Sequence, residues 1–215
     1  MATHQVAVIG MGRFGIALAR ELYRVGHDVL TIDRDEGLTQ AMMGHVTYSV
    51  TGDSTSAELL EEVGIRNFDT GVVAIGTDIQ SSVLTTVLLK ETFQLSQVVA
   101  RATNELHGKT LQAIGADRVV YPEQETGLRT AHSLFQRETL EYMEITSGYG
   151  ISKIIVSPEM VGRSLEEAGF GNRPDTYKVS VAAIRRGRNP IVSPSKDEIL
   201  QASDQLVVAA PEETL

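Results

Sequence analysis

The 215-residue chain is long for one domain and comfortable for two, and 42% hydrophobic with 22% charged residues suits a packed core. A net charge of −9 argues against a broad nucleic-acid-binding face, and the lack of cysteine excludes disulfides, thiolate metal sites and cysteine nucleophiles. No apolar run approaches the roughly 18 residues of a membrane span and no signal-peptide core opens the chain, so a cytoplasmic protein is expected.

The first apolar run, 5–9, reads as a strand and leads directly into Gly10-Met11-Gly12-Arg13-Phe14-Gly15. Phe14, Leu18, Leu22 and Val25 then recur at helical spacing, and a second strand at 28–32 is closed by Asp33. A lone GxGxxG is weak evidence, but strand, glycines, helix and acid within about thirty residues meet the requirements of a Rossmann βαβ unit. Gly10 permits the tight turn, Gly12 lets a pyrophosphate approach the backbone, and Gly15 lets the helix pack closely on the strand. The opening N–H groups of that helix face the phosphates, and Asp33 lies where a carboxylate accepts ribose hydroxyls. Arg13, at the helix start, is either a phosphate ligand with a suitable fork or a solvated cation.

Further strands are expected at 47–50, 70–75, 97–102 and 118–121, with helices at 36–43, 57–63, 79–93 and 105–114; Gly64 and Gly115 stand at helix stops. Six strands with intervening helices give an α/β fold, a doubly wound parallel sheet. Two strand ends carry further candidates. Gly52-Asp53 follows the third strand, where Asp53 either meets the adenine or caps the next helix. Ala74-Ile75-Gly76 ends the fourth, where small residues suit a cofactor floor and Thr77 or Asp78 suits an N-cap.

At Pro122 the rhythm breaks. A helix over 123–142 places Leu128, Ala131, Leu134 and Phe135 along one face with no strand behind it to cover, which predicts self-association through that face. Glu123 and Glu125 at its start either share a divalent ion or favour the helix N-terminus as first-turn acids. Short strands at 151–156, 179–184, 190–192 and 205–209, with a helix near 162–168, read as a small α+β domain. The expected domains are therefore 1–139 and 140–215. The five histidines show no metal-ligand spacing, and neither a GxSxG elbow nor a P-loop occurs. Arg185, Arg186 and Arg188 form a basic cluster, either a solvated hairpin tip or a site for an anionic ligand.

The stretch 8–15, Asp33, Gly64-Ile65-Arg66-Asn67-Phe68-Asp69, Val73-Ala74-Ile75-Gly76, 84–91 and Ile114-Gly115-Ala116-Asp117-Arg118-Val119-Val120-Tyr121-Pro122-Glu123 together resemble the RCK (regulator of K⁺ conductance) proteins. Among these the chain is most similar to KtrA-type subunits of Ktr/Trk potassium uptake systems, densely in the first domain and loosely in the second through Val161-Gly162-Arg163-Ser164-Leu165. The resemblance implies a Rossmann N-terminal domain that binds ATP, ADP or NAD(H). It also implies dimers assembling into an octameric ring beneath a membrane-embedded channel subunit, and cyclic di-AMP at the small C-terminal domain. The implied nucleotide site comprises Gly10, Gly12, Arg13, Phe14, Gly15, Asp33, Arg34, Asp53, Ala74, Ile75, Gly76 and Arg101, with Glu123 as a ligand for Ca²⁺ or Mg²⁺ between subunits.

The competing reading is an NAD-dependent oxidoreductase on the same βαβ unit. It requires a substrate domain that presents a general acid or base to the nicotinamide. The region after residue 140 contains no histidine.

Overall fold

In a computed structural model, which describes residues 3–134, 139–170 and 179–211, the first strand, β1 (Gln5–Ile9), is buried on both sides. Ala7 and Ile9 face one core, with Leu60, Leu89 and Leu111; Val6 and Val8 face another, with Met11, Ala19 and Met42. Burial on both faces is the condition of a parallel sheet covered by helices on each side.

The elements of this unit follow in strict alternation. They are β1, α1 (Arg13–Arg24), β2 (Asp28–Asp33), α2 (Glu36–Met42), β3 (Tyr48–Thr51), α3 (Ala57–Glu62), β4 (Thr70–Val73), α4 (Ile79–Val87), β5 (Gln97–Arg101), α5 (Glu105–Ala113) and β6 (Arg118–Val120). All neighbouring strands pair in parallel, in the order β3-β2-β1-β4-β5-β6. The order reverses between β1 and β4, so a crevice opens at their C-terminal ends, where open α/β sheets bind ligands. The expected doubly wound sheet is the observed one.

Two helices depart from expectation. The helix expected over 79–93 widens at Leu88–Thr92 into a π-type turn, closed by Phe93 N–H on the Leu88 carbonyl at 2.9 Å. The wider turn lets both Leu89 and Phe93 enter the core. α4 is also inverted: Ser81, Ser82, Thr85 and Thr86 are buried, while Leu84 and Ile79 are exposed. Thr85 and Ser54 share a buried hydroxyl pair at 2.9 Å, and Thr86 donates to the Ser82 carbonyl.

The chain divides into compact units at Met1–Glu123 and Gln124–Leu215. In the second region the helix expected over 123–142 is shorter. It is α6 (Pro122–Ser133), and strand β7 (Thr139–Thr146) follows. The strand forms because Gly148, at φ +78, closes a tight hairpin that pairs Thr146 with Tyr149 and zips β7 onto β8 (Tyr149–Ile155). Leu128 and Leu134 are exposed, as is Ala131; Phe135 lies outside the described residues. β9 (Ser180–Arg186), β10 (Asn189–Val192) and β11 (Gln205–Pro211) complete an antiparallel sheet in the order β10-β9-β11-β8-β7. Its core is Val156, Leu165, Ile184, Leu200, Leu206 and Val208. In place of the helix expected near 162–168 there is a wide turn at Glu166–Phe170, broken by Gly169 at φ +96.

Arg186 is tied inside this unit, donating to Asp204 at 2.8 Å and Glu198 at 3.0 Å; Asp204 is 1% exposed. Arg185 and Arg188 are exposed near the β9–β10 hairpin. Among the described residues no helix is long and apolar enough to cross a membrane.

Candidate nucleotide site

The site is built on the turn between β1 and α1. Gly10 adopts φ +96, and a β-carbon there would press on the Ile75 backbone nitrogen at 3.0 Å, so Ala74 and Ile75 back the turn closely. Gly12 occupies the N-cap of α1 with no side-chain cap, and its surroundings are open. The first-turn N–H groups of α1 are therefore free to meet an anion.

Asp33, at the end of β2, anchors this turn. One carboxylate oxygen accepts the Met11 N–H and the other accepts the Asp35 N–H at 2.9 Å. Each oxygen keeps a second lone pair for a ribose hydroxyl. A cleft of about 220 Å³ opens beside it, lined by Gly10, Gly12, Asp33, Arg34, Gly76 and Arg101 among others. Ala74 and Ile75 form part of the same lining. A recess of about 470 Å³ near the N-terminal ends of β1 and β2 is lined by Val29, Leu30, Val50, Val63, Gly64 and Phe68 and lies away from the turn between β1 and α1.

Arg34 spans three strand ends. It donates to Asp53 at 2.8 Å, to the Ser81 hydroxyl at 3.0 Å and to Asp78 at 3.4 Å. Asp53 caps no helix: Ser56 caps α3, and Asp53 accepts from the Thr55 hydroxyl and backbone. Hydrogen bonds from Thr55 and then Arg34 hold the Asp53 carboxyl down to about 2. Asp78 caps α4 by accepting the Ser81 N–H at 3.0 Å, and its carboxyl is lowered first by the Ser81 hydroxyl, which donates to it at 2.6 Å. Asp53 thus reaches the cleft only through Arg34.

The remaining candidates fall around this centre. Arg13 is exposed at the start of α1, with no ion pair among the described residues. Phe14 packs against the core of Val6, Val8 and Met11 rather than lining the cleft. Gly15 packs the helix on the turn. Arg101 lines the cleft and pairs with Glu123. Among the described residues no group of three metal-ligating side chains occurs. Ser81 went unread from sequence because a helical serine carries no motif; only its position three residues after an N-cap aspartate marks it.

A Rossmann-type sheet with an uncapped glycine turn, an acid at the end of its second strand and a cationic cleft wall has the architecture of a nucleotide-binding-type α/β domain. The TrkA-N domain model matches residues 6–122, and the TrkA-C domain model matches residues 152–215. The chain belongs to the TrkA-N/TrkA-C family. It is 36% identical over 204 residues to Ktr system potassium uptake protein A of Bacillus subtilis (strain 168), covering 95% of this chain and 90% of that protein. Protein A of the Vibrio alginolyticus Ktr system is 30% identical over 211 residues, covering 98% and 94%. Among solved structures, the GsuK channel superposes with a TM-score of 0.56 at 25% identity, covering all of this chain and 38% of that one. A crystal structure of GsuK bound to ADP gives 0.55 at 29% identity over 63% of this chain and 35% of that one. The chain spans less than half the length of those GsuK polypeptides.

Proposed function

We propose that this protein is a nucleotide-sensing regulatory subunit of a potassium uptake system, binding ATP, ADP or NAD(H) in the cleft at the end of β1. One observation carries the reading: the glycine turn meets an uncapped helix N-terminus in a cleft that also holds Asp33, Gly76 and Arg101. The residues fit the ligand. Gly10, Gly12 and the first turn of α1 would hold the phosphates, Asp33 the ribose, and Arg13 and Arg101 the outer phosphate charge. The solved ADP complex of GsuK and the potassium-uptake names of the relatives support this assignment. A bound nucleotide supplies charge and shape here, not a reaction.

The subunit would work at the inner face of the membrane, held there by a channel partner. Exposed Leu128 on α6, Leu134 just beyond its end, and exposed Ile79, Leu84 and Leu106 on the first unit supply apolar area for dimers and for a ring of dimers. A Ca²⁺ or Mg²⁺ site does not fit one chain, because Glu123 is already held by Arg101; a shared site requires a second copy. Cyclic di-AMP is the ligand this reading gives the second unit, and equilibrium dialysis with the labelled dinucleotide tests it.

Calorimetry on the intact protein tests the main assignment. ATP, ADP and NADH are expected to bind, and NADPH much more weakly because Asp33 repels a 2′-phosphate. Nucleotide turnover, with hydride transferred to an added substrate, would instead support the oxidoreductase reading.

A further inference from the structure

Arg101 stands at the C-terminal end of β5 with its side chain 17% exposed. Its guanidinium presses on Gly76 so closely that a β-carbon there would lie 2.2 Å from a terminal nitrogen. A guanidinium has five donors. One terminal nitrogen donates to Glu123, and the buried Nε–H has no hydrogen-bond partner among the described residues. Glu123 differs sharply in setting. Its side chain is 64% exposed, and it sits in the first turn of α6.

A confined cation with spare donors and one exposed carboxylate can exchange one anion for another. Resting on the nucleotide assignment above, we propose that Glu123 is a built-in counter-ion that a nucleotide phosphate displaces from Arg101. Glu123 thereby determines how strongly the cleft distinguishes nucleotides by phosphate number. The exchange keeps Arg101 paired throughout, so no confined cation is left bare. The released carboxylate is mostly in water already and rehydrates at little cost. Adenosine brings no competing charge; each added phosphate brings more.

Coupling of this kind is reciprocal. Whatever weakens the Arg101–Glu123 pair strengthens phosphate binding, and phosphate binding frees the first turn of α6. That helix begins at Pro122 and continues beyond the Glu123 boundary of the nucleotide-binding unit. The state of the cleft is thus written into the helix by which the chain leaves it.

The test is calorimetry on the full chain in chelator, so that no divalent ion engages Glu123, with adenosine, AMP, ADP and ATP. Glu123→Gln is expected to tighten ATP roughly threefold to tenfold, the range a partly exposed charge pair spans. The gain should shrink toward AMP and vanish for adenosine. Arg101→Gln should weaken ATP and cancel the effect of Glu123→Gln in the double variant. If Arg101→Gln does not fold, Arg101→Lys keeps the charge but loses the fork, and the gain should persist in reduced form. Amides at 123–126 should exchange faster with ATP in the wild type and already be fast in Glu123→Gln. Unchanged or weaker ATP binding in Glu123→Gln, with wild-type binding intact, overturns the counter-ion role and leaves the nucleotide reading standing. A wild type that binds no nucleotide overturns both.

Discussion

A β-carbon added to Gly15 would stand 1.9 Å from the Gly10 carbonyl oxygen, whereas one added to Gly12 would meet nothing within 4 Å. The outer glycines are fixed by the protein's own packing. Gly12, at φ −68, is not. The backbone there stands open to whatever approaches from outside.

Gly12→Ala should cost less than about 1 kcal/mol of stability, through alanine's poorer fit to an N-cap, and weaken ATP and ADP by tenfold or more. Gly15→Ala should destabilise the first unit by about 1–3 kcal/mol through overpacking. Paired thermal denaturation and calorimetry separate the two effects; an unaltered nucleotide affinity in a folded Gly12→Ala protein would place the site elsewhere.

Arg13→Ala should narrow the ATP/ADP affinity ratio while costing ADP little. A charge-assisted contact contributes roughly 1.5–3 kcal/mol, so a loss of about tenfold or more is expected for ATP. Equal losses for both nucleotides would show that Arg13 touches only shared phosphates. The ratio, measured by competition titration, is the decisive quantity.

The readability of this site from sequence divides along physical lines. Gly10, Gly12, Gly15 and Asp33 were legible because backbone conformation and local spacing impose them within one βαβ unit. The Arg34 bridge to Asp53 and Asp78 was not, since it joins three strand ends that only the sheet order brings together. Strand β7 escaped for a related reason. Leu128, Ala131 and Leu134 keep helical spacing up to its threshold, and adjacent Tyr142 and Met143 break the alternation that would reveal a strand. Inside the sheet Tyr142 is buried and Met143 exposed, which the pleat alone decides.

His107 is 3% exposed, and burial lowers its imidazole below the usual 6.5. Its Nε2 has no hydrogen-bond partner among the described residues, while Nδ1 meets the Thr103 hydroxyl at 3.3 Å. A depressed folded-state value means the unfolded chain takes up the proton first. Stability should hold above 6.5 and decline as pH falls below it. His107→Asn should flatten that decline, as urea midpoints at about pH 7.5 and about pH 5.5 would reveal. An equal decline in the variant would assign the slope to other groups.

Asp204 is 1% exposed and accepts from Arg186 and from the Gln201 N–H at 2.9 Å. Asp204→Asn should destabilise the second unit by about 2 kcal/mol, because it leaves Arg186 with a weakened partner in a half-buried place. Nucleotide affinity should be unaffected. Chemical denaturation followed by a probe in the second unit measures the first effect, and calorimetry the second.

The hairpin that joins β7 to β8 bears on where this protein can be divided. The TrkA-C match begins at residue 152, inside β8. A fragment cut there would lose β7, the hairpin turn and Tyr149–Ile151 of β8, leaving the backbone N–H and C=O groups of the rest of β8 open along one side. An unguarded strand of that kind recruits the nearest complementary strand, which in a concentrated sample is another copy of the fragment. Aggregation of such a piece would report the missing strand, not a weakness of the domain, and a fragment beginning before Thr139 should behave as a soluble body.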